Sequence, residues 1–291
     1  VTNPSRTPES GRGQAAMTHA AGGDDPDVVE VSAPQAADTE QLIGAPAADD
    51  DAFGPEVVSE ATEIVRRYPH SRSALLPMLH LVQSVQGYVS QQGISFCARQ
   101  LDLSAAEVSA VVTFYSMYKR KPCGRYLVSV CTNTMCAMLG GDEIYRRLAE
   151  HLGGETPLAN GETVGTPGSA GSVTLEHVEC LAACDLGPTL QVNYEYYDRQ
   201  TPTSAVEVVE ALRRDAPPTP SRGAAVGGFT DIERQLAGFF PTDTDTYESA
   251  VDGPSRADET VAGNSLAHER GWTAPPLTDV PLPEAETKEG R

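Results

Sequence analysis

Two short cysteine clusters constrain this 291-residue chain more than any other feature: Cys131-Thr-Asn-Thr-Met-Cys136 and Cys180-Leu-Ala-Ala-Cys184. Each follows a β-rich apolar run, Tyr126–Val130 and Val173–Val178. Four thiols on two loops, each loop leaving a strand, predict one site around which the rest of the chain is scaffold. Thiolates are soft ligands that suit zinc and iron–sulfur clusters. The small or polar neighbours Thr132, Asn133, Thr134, Ala182 and Ala183 let the loop backbone come close and aim N–H groups at sulfur, which favours a reduced cluster. Leu181 and Met135 are candidates to keep water away from it. Spacing alone leaves three chemistries open. An iron–sulfur cluster fits, a structural zinc site fits the x4 and x3 gaps loosely, and a redox dithiol lacks the Cys-x-x-Cys it needs. Of the two other cysteines, Cys97 lies in a helical run beside Phe96 and reads as a small core residue. Cys123, in the turn Pro122-Cys-Gly124, reads as an exposed free thiol.

Charge and composition say how much chain is available to build the scaffold. The net charge is −20, with 9 acids against 2 bases in residues 1–50 and 14 against 6 in residues 215–291. Both ends are rich in Ala, Gly, Pro, Ser and Thr and bury too little apolar surface to offset the entropy of ordering. A disordered leader over 1–52 and a mostly disordered, acidic tail over 215–291 are therefore expected. The middle has the size of one compact domain or two small ones. No basic footprint for nucleic acid appears. No apolar run of membrane-spanning length and no signal-peptide core appear either, which predicts a cytoplasmic protein without direct membrane insertion. Six cysteines are too sparse for a secreted disulfide scaffold. Walker, GxGxxG, HExxH and GxSxG patterns are missing, so no nucleotide or flavin pocket is expected on this chain.

Periodicity predicts an α/β protein in two parts. A small helical bundle over 53–118 begins with a helix at Pro55, carrying Val57, Val58, Ala61, Ile64 and Val65. A second helix runs from Ser71 with Leu75, Leu76, Leu79, Val82 and Val85 on one face, closed by Gly87. A third follows Ser90, and a fourth follows the Ser104–Glu107 capping-box spacing to about Val112. Phe114–Tyr118 reads as extended, and Lys119–Lys121 as a solvated basic loop. Residues 119–214 then alternate strand and helix: Arg125–Val130, a helix after Gly140-Gly141 with Ile144, Leu148 and Leu152, strands at Val173–Val178 and Thr189–Asn193, and a last helix capped by Ser204. In the tail, Phe229–Phe240 and Trp272 stand out as apolar islands, candidate docking segments for a partner.

With these residues in place, the chain resembles the thioredoxin-like [2Fe–2S] subunit of NADH:quinone oxidoreductase, the 24 kDa or E subunit of respiratory complex I. The resemblance rests on Val111–Met117, Pro122-Cys-Gly124, Val130–Cys136 with Gly140, and Val178–Cys184 with Pro188, and it spans roughly residues 55–213. It implies a thioredoxin-like ferredoxin domain after the helical bundle. It also implies one [2Fe–2S] cluster, with Cys131 and Cys136 on one iron and Cys180 and Cys184 on the other. FMN and NADH are then expected on a partner flavoprotein subunit, and no complete active site on this chain. Other peripheral-arm subunits would be further partners, at the inner face of the plasma membrane. The corresponding subunit of a soluble NAD-linked hydrogenase or formate dehydrogenase shares this module, and a zinc-stabilised interaction module is the alternative without redox chemistry. Two departures stand out: such subunits usually carry Gly where Ala182 sits, and Ala-Pro where this chain has Gly187-Pro188. The long C-terminal extension lies outside the shared pattern.

Overall fold

The N-terminal helices follow their local signals. The computed structural model describes residues 53–240 and 258–272; the expected disordered leader, 1–52, and most of the distal tail lie outside the described residues. Helix α1 (Pro55–Arg66) buries Ala61 and Ile64. A 3₁₀ turn over Ser71–Ala74 feeds α2 (Leu75–Gln86), which ends at Gly87 in the left-handed region, φ 74°. The Ser90 hydroxyl caps α3 (Gln91–Leu101) by accepting from the Gly93 amide. Ser104 and Glu107 exchange both bonds of a capping box at the start of α4 (Ala105–Phe114). That helix runs to Phe114 rather than Val112, so Phe114 closes a helix instead of opening an extended segment. Tyr118 turns inward, its hydroxyl donating to the Leu76 carbonyl at 3.0 Å.

Strand β1 (Tyr126–Cys131) is central in a five-stranded sheet of order β2-β3-β1-β4-β5. It pairs in parallel with β3 (Val173–Val178), and Cys131 stands opposite Val178. The short strands β2 (Glu162–Val164), β4 (Leu190–Val192) and β5 (Glu195–Tyr197) join antiparallel. After β1 come the single turn α5 (Thr134–Met138) and α6 (Gly141–Gly153), which buries Ile144, Leu148 and Leu152; α7 (Pro202–Arg213) buries Val209 and Leu212. Alternation along β1 sends Tyr126, Val128 and Val130 into a core shared with α6 and α7, and Leu127 to a separate cluster. The cap of α7 is Thr201, not Ser204; Ser204 is the third helical residue and returns the bond to the Thr201 amide.

The segment after α7 departs most from expectation. Residues 216–240, expected to belong to a disordered tail, form a strap across both parts of the fold. The Ser221 amide bonds the Tyr196 carbonyl at 2.8 Å, and the Phe229 amide bonds the Arg125 carbonyl at 2.8 Å. Helix α8 (Phe229–Leu236) then packs along α2, and Ala237 enters the helical core. The Phe229 island is thus spent inside its own chain. It covers His80 on α2, whose Nδ1 lies 2.6 Å from Glu233, while Leu76 and Val85 remain exposed. It also buries Cys123, which sits with Leu127 and Phe229 and is not the exposed thiol its turn suggested. Lys119 is likewise no solvated loop residue: its ammonium bonds both Glu176 oxygens, at 3.0 and 2.7 Å, and joins the bundle to β3. Helix α9 (Asp258–Glu269) precedes the other island, whose Trp272 is exposed beneath the Arg270 guanidinium, 5.0 Å from the ring centre.

Candidate metal centre

Parallel pairing of β1 and β3 brings the two cysteine loops together, because both leave the sheet at the same edge. Cys131 is the last residue of β1, and its amide donates to the Thr189 carbonyl at 3.1 Å. Thr132 bonds the Val178 carbonyl at 3.2 Å, and the Asn133 side-chain amide reaches the Glu179 carboxylate at 3.0 Å, so each loop holds the other. Cys136 lies within α5, a single helical turn that nothing in the loop's composition predicts. Helix α6 starts directly against this turn. A Cβ on Gly141 would lie 2.5 Å from the Cys131 carbonyl and 2.9 Å from that of Cys136, so only glycine lets the helix approach so closely.

The sulfurs fall into two pairs, one per loop. Cys131 and Cys136 are buried. Cys180 and Cys184 lie 3.6 Å apart and are exposed. Cys136 and Cys184 each sense thiols of the other pair electrostatically. Burial pushes Cys136 up to about 11, helped by Cys131 and Cys184 and opposed by the Thr189 backbone. Hydrogen bonding and charge from Cys180 raise Cys184. Thiols so crowded resist ionising together, and a bound cation reverses that preference. Among the described residues, no group of three or more His, Cys, Asp or Glu side chains closes around a single ion. The pairing suits two metal atoms sharing four thiolates, and the donor set is all sulfur, as an iron–sulfur cluster requires.

A backbone amide aims at sulfur in the outer pair, as the small loop residues there suggested. The Ala182 amide donates to the Cys180 sulfur at 3.3 Å. Ala182 reaches that pose with φ 58°, in the left-handed region where a side chain is strained. The position does require a positive φ, the condition under which alanine there is costly. Ala182→Gly is expected to stabilise the protein by about 1 kcal/mol or slightly less, the αL strain outweighing the extra unfolded-state entropy. A urea midpoint that falls instead would contradict this. At the second departure, a Cβ on Gly187 would stand 3.2 Å from the Cys136 sulfur, so glycine leaves that sulfur room. Of the two expected shields, Leu181 is half-buried whereas Met135 is exposed. Cys97 and Cys123 lie away from the site, both driven up to about 12 by burial. The residues that sequence reasoning passed over are Thr189, Tyr196 and Asp198, which act on the loops from just before β4, from β5 and from just beyond it.

A mixed sheet preceded by a helical bundle, with two cysteine pairs at the C-terminal ends of its parallel strands, defines an iron–sulfur ferredoxin. The chain belongs to the thioredoxin-like [2Fe–2S] ferredoxin family, whose pattern matches residues 61–213. It is 48% identical to the E subunit of the NADH-quinone oxidoreductase of Mycobacterium tuberculosis over 228 residues, 77% of this chain and 85% of that one. With the E subunit of the Rickettsia bellii NADH-quinone oxidoreductase it shares 32% identity over 166 residues, 56% of this chain and 95% of the relative. An NAD+-reducing [NiFe]-hydrogenase structure aligns at 17% identity with a TM-score of 0.42, covering 49% of this chain and only 23% of the hydrogenase chain. That likeness is too slight to carry any conclusion.

Proposed function

We propose that this chain is the iron–sulfur electron-carrier subunit of an NADH-quinone oxidoreductase, exchanging single electrons with the FMN of an NADH-binding flavoprotein subunit. The observation that carries the reading is the two-pair arrangement of Cys131, Cys136, Cys180 and Cys184 within a chain of this family. When bound, the [2Fe–2S] cluster supplies a one-electron donor and acceptor. Cys131 and Cys136 would hold the buried iron, and Cys180 and Cys184 the outer one. The Ala182 amide places partial positive charge against the Cys180 sulfur, which favours the reduced state. The exposed side of the Cys180 loop is where a partner's flavin would approach. Other peripheral-arm subunits would complete the assembly at the inner face of the plasma membrane. No helix among the described residues is long and apolar enough to cross a membrane.

Anaerobically purified protein is expected to be reddish, with about two irons and two sulfides per chain, and to give an EPR signal only after reduction. NADH should reduce it when the co-purified flavoprotein subunit is present and not otherwise. A colourless protein holding one zinc ion would replace this reading with a zinc-stabilised module. Co-purification with a hydrogenase or formate-oxidising subunit would reassign the complex.

A further inference from the structure

The strap lies beyond the residues that define the family, 61–213, yet its Arg222 engages two side chains that stand behind the cysteine loops. Arg222 stands over the ring of Tyr196, 3.9 Å from its centre. The Tyr196 hydroxyl donates to the Leu181 carbonyl at 2.9 Å. That carbonyl belongs to the same peptide unit as the Ala182 amide, which donates to the Cys180 sulfur at 3.3 Å. A bond accepted at one end of a peptide polarises and orients the donor at its other end. The second arm runs through Asp198, whose carboxylate pairs with Arg222 at 3.1 Å and accepts from the Thr189 hydroxyl at 3.3 Å. Thr189 in turn accepts the Cys131 amide on its backbone carbonyl at 3.1 Å.

We propose that Arg222 on the C-terminal strap and Tyr196 beneath it are positioning residues that tune the cluster's potential, acting on both cysteine loops. The inference rests on the four-cysteine cluster reading above. Tyr196 fixes the Leu181–Ala182 peptide plane so that its N–H faces Cys180, and the arginine's positive charge makes the phenol a better donor. Arg222 also neutralises Asp198, a carboxylate whose bare charge near the site would oppose the incoming electron. Both effects favour the reduced cluster, so losing either residue lowers the potential.

The test is a redox titration of the full chain with its cluster in place, followed by EPR, on wild type, Tyr196→Phe, Arg222→Met and Tyr197→Phe. Tyr197 is the matched control, because its hydroxyl ties β5 to the strap at Pro218, 2.5 Å away, without touching a cysteine loop. At the wild-type midpoint, Arg222→Met is expected to lower the reduced-to-oxidised ratio about tenfold, which is 59 mV for one electron. Tyr196→Phe should lower it about threefold, with altered g-values, while Tyr197→Phe changes stability and leaves potential and g-values alone. Unchanged potentials in Tyr196→Phe and Arg222→Met at full iron content would overturn the proposal, as would an equal shift in Tyr197→Phe. Should Tyr196→Phe fail to hold a cluster, Arg222→Met, which touches neither loop, decides alone. A wild-type protein without iron and sulfide would sink the cluster reading instead.

Discussion

Cys180→Ser is expected to abolish the cluster or perturb it strongly, while Cys97→Ser leaves iron and sulfide content unchanged. Cys180 sits 3.6 Å from Cys184, on the loop that leaves β3 beside β1. A serine oxygen there is a harder ligand that gives up its proton less readily, and iron in a sulfide cluster favours the soft thiolate. Cys97 is fully buried in the helical core with Phe96 and Ile94, and burial alone holds its thiol up at about 12. Its replacement places a hydroxyl in an apolar site, at a cost of about 1–3 kcal/mol in stability, without reaching the cysteine loops. Iron, sulfide and EPR intensity measured on both purified variants separate the two outcomes. Equal loss in both would refute the ligand assignment.

What the sequence revealed about this site, it revealed through local pattern. Capping by Ser90 and Ser104 is encoded within four residues, and the helices begin where those hydroxyls indicate. The cysteine loops are equally local, and β1 and β3 emerge as apolar runs that end on them. Strands β2 and β5, three residues each, are too short to show a period. Charges were misread wherever the partner is remote in sequence. Lys119 belongs to an apparently basic loop, and only Glu176, 57 positions on, makes it an interior residue. The strap was hidden for the same reason: its Pro, Gly and Ser content reads as linker, and its one buried acid, Glu233, finds its partner His80 153 positions earlier. Tyr196 and Asp198 carry no motif, since their action on the loops passes through peptide groups and a threonine.

Glu233→Ala is expected to cost about 3–5 kcal/mol of stability, because it empties a buried polar node that joins strap, helical bundle and ferredoxin sheet. Glu233 is wholly buried on α8, and each of its oxygens is engaged: Oε2 lies 2.6 Å from His80 Nδ1 on α2, and Oε1 accepts from the Tyr194 hydroxyl at 2.9 Å. Tyr194 belongs to the β4–β5 turn, so a single carboxylate bonds all three parts of the fold. Alanine leaves the imidazole and the phenol facing each other's space without an acceptor, which is worse than removing all three groups together. Glu233→Gln keeps the volume and one acceptor oxygen and should lose less than half as much. Thermal unfolding of the protein with its cluster is the measurement, and a drop of roughly 6–20 °C for the alanine variant corresponds to the expected loss. Truncation after Leu212 should act in the same direction and further, since it also uncovers Cys123, Leu127 and the buried face of α2. A truncated chain that unfolds at the wild-type temperature would show that the strap lies on the fold without supporting it, and Glu233→Ala should then be silent as well.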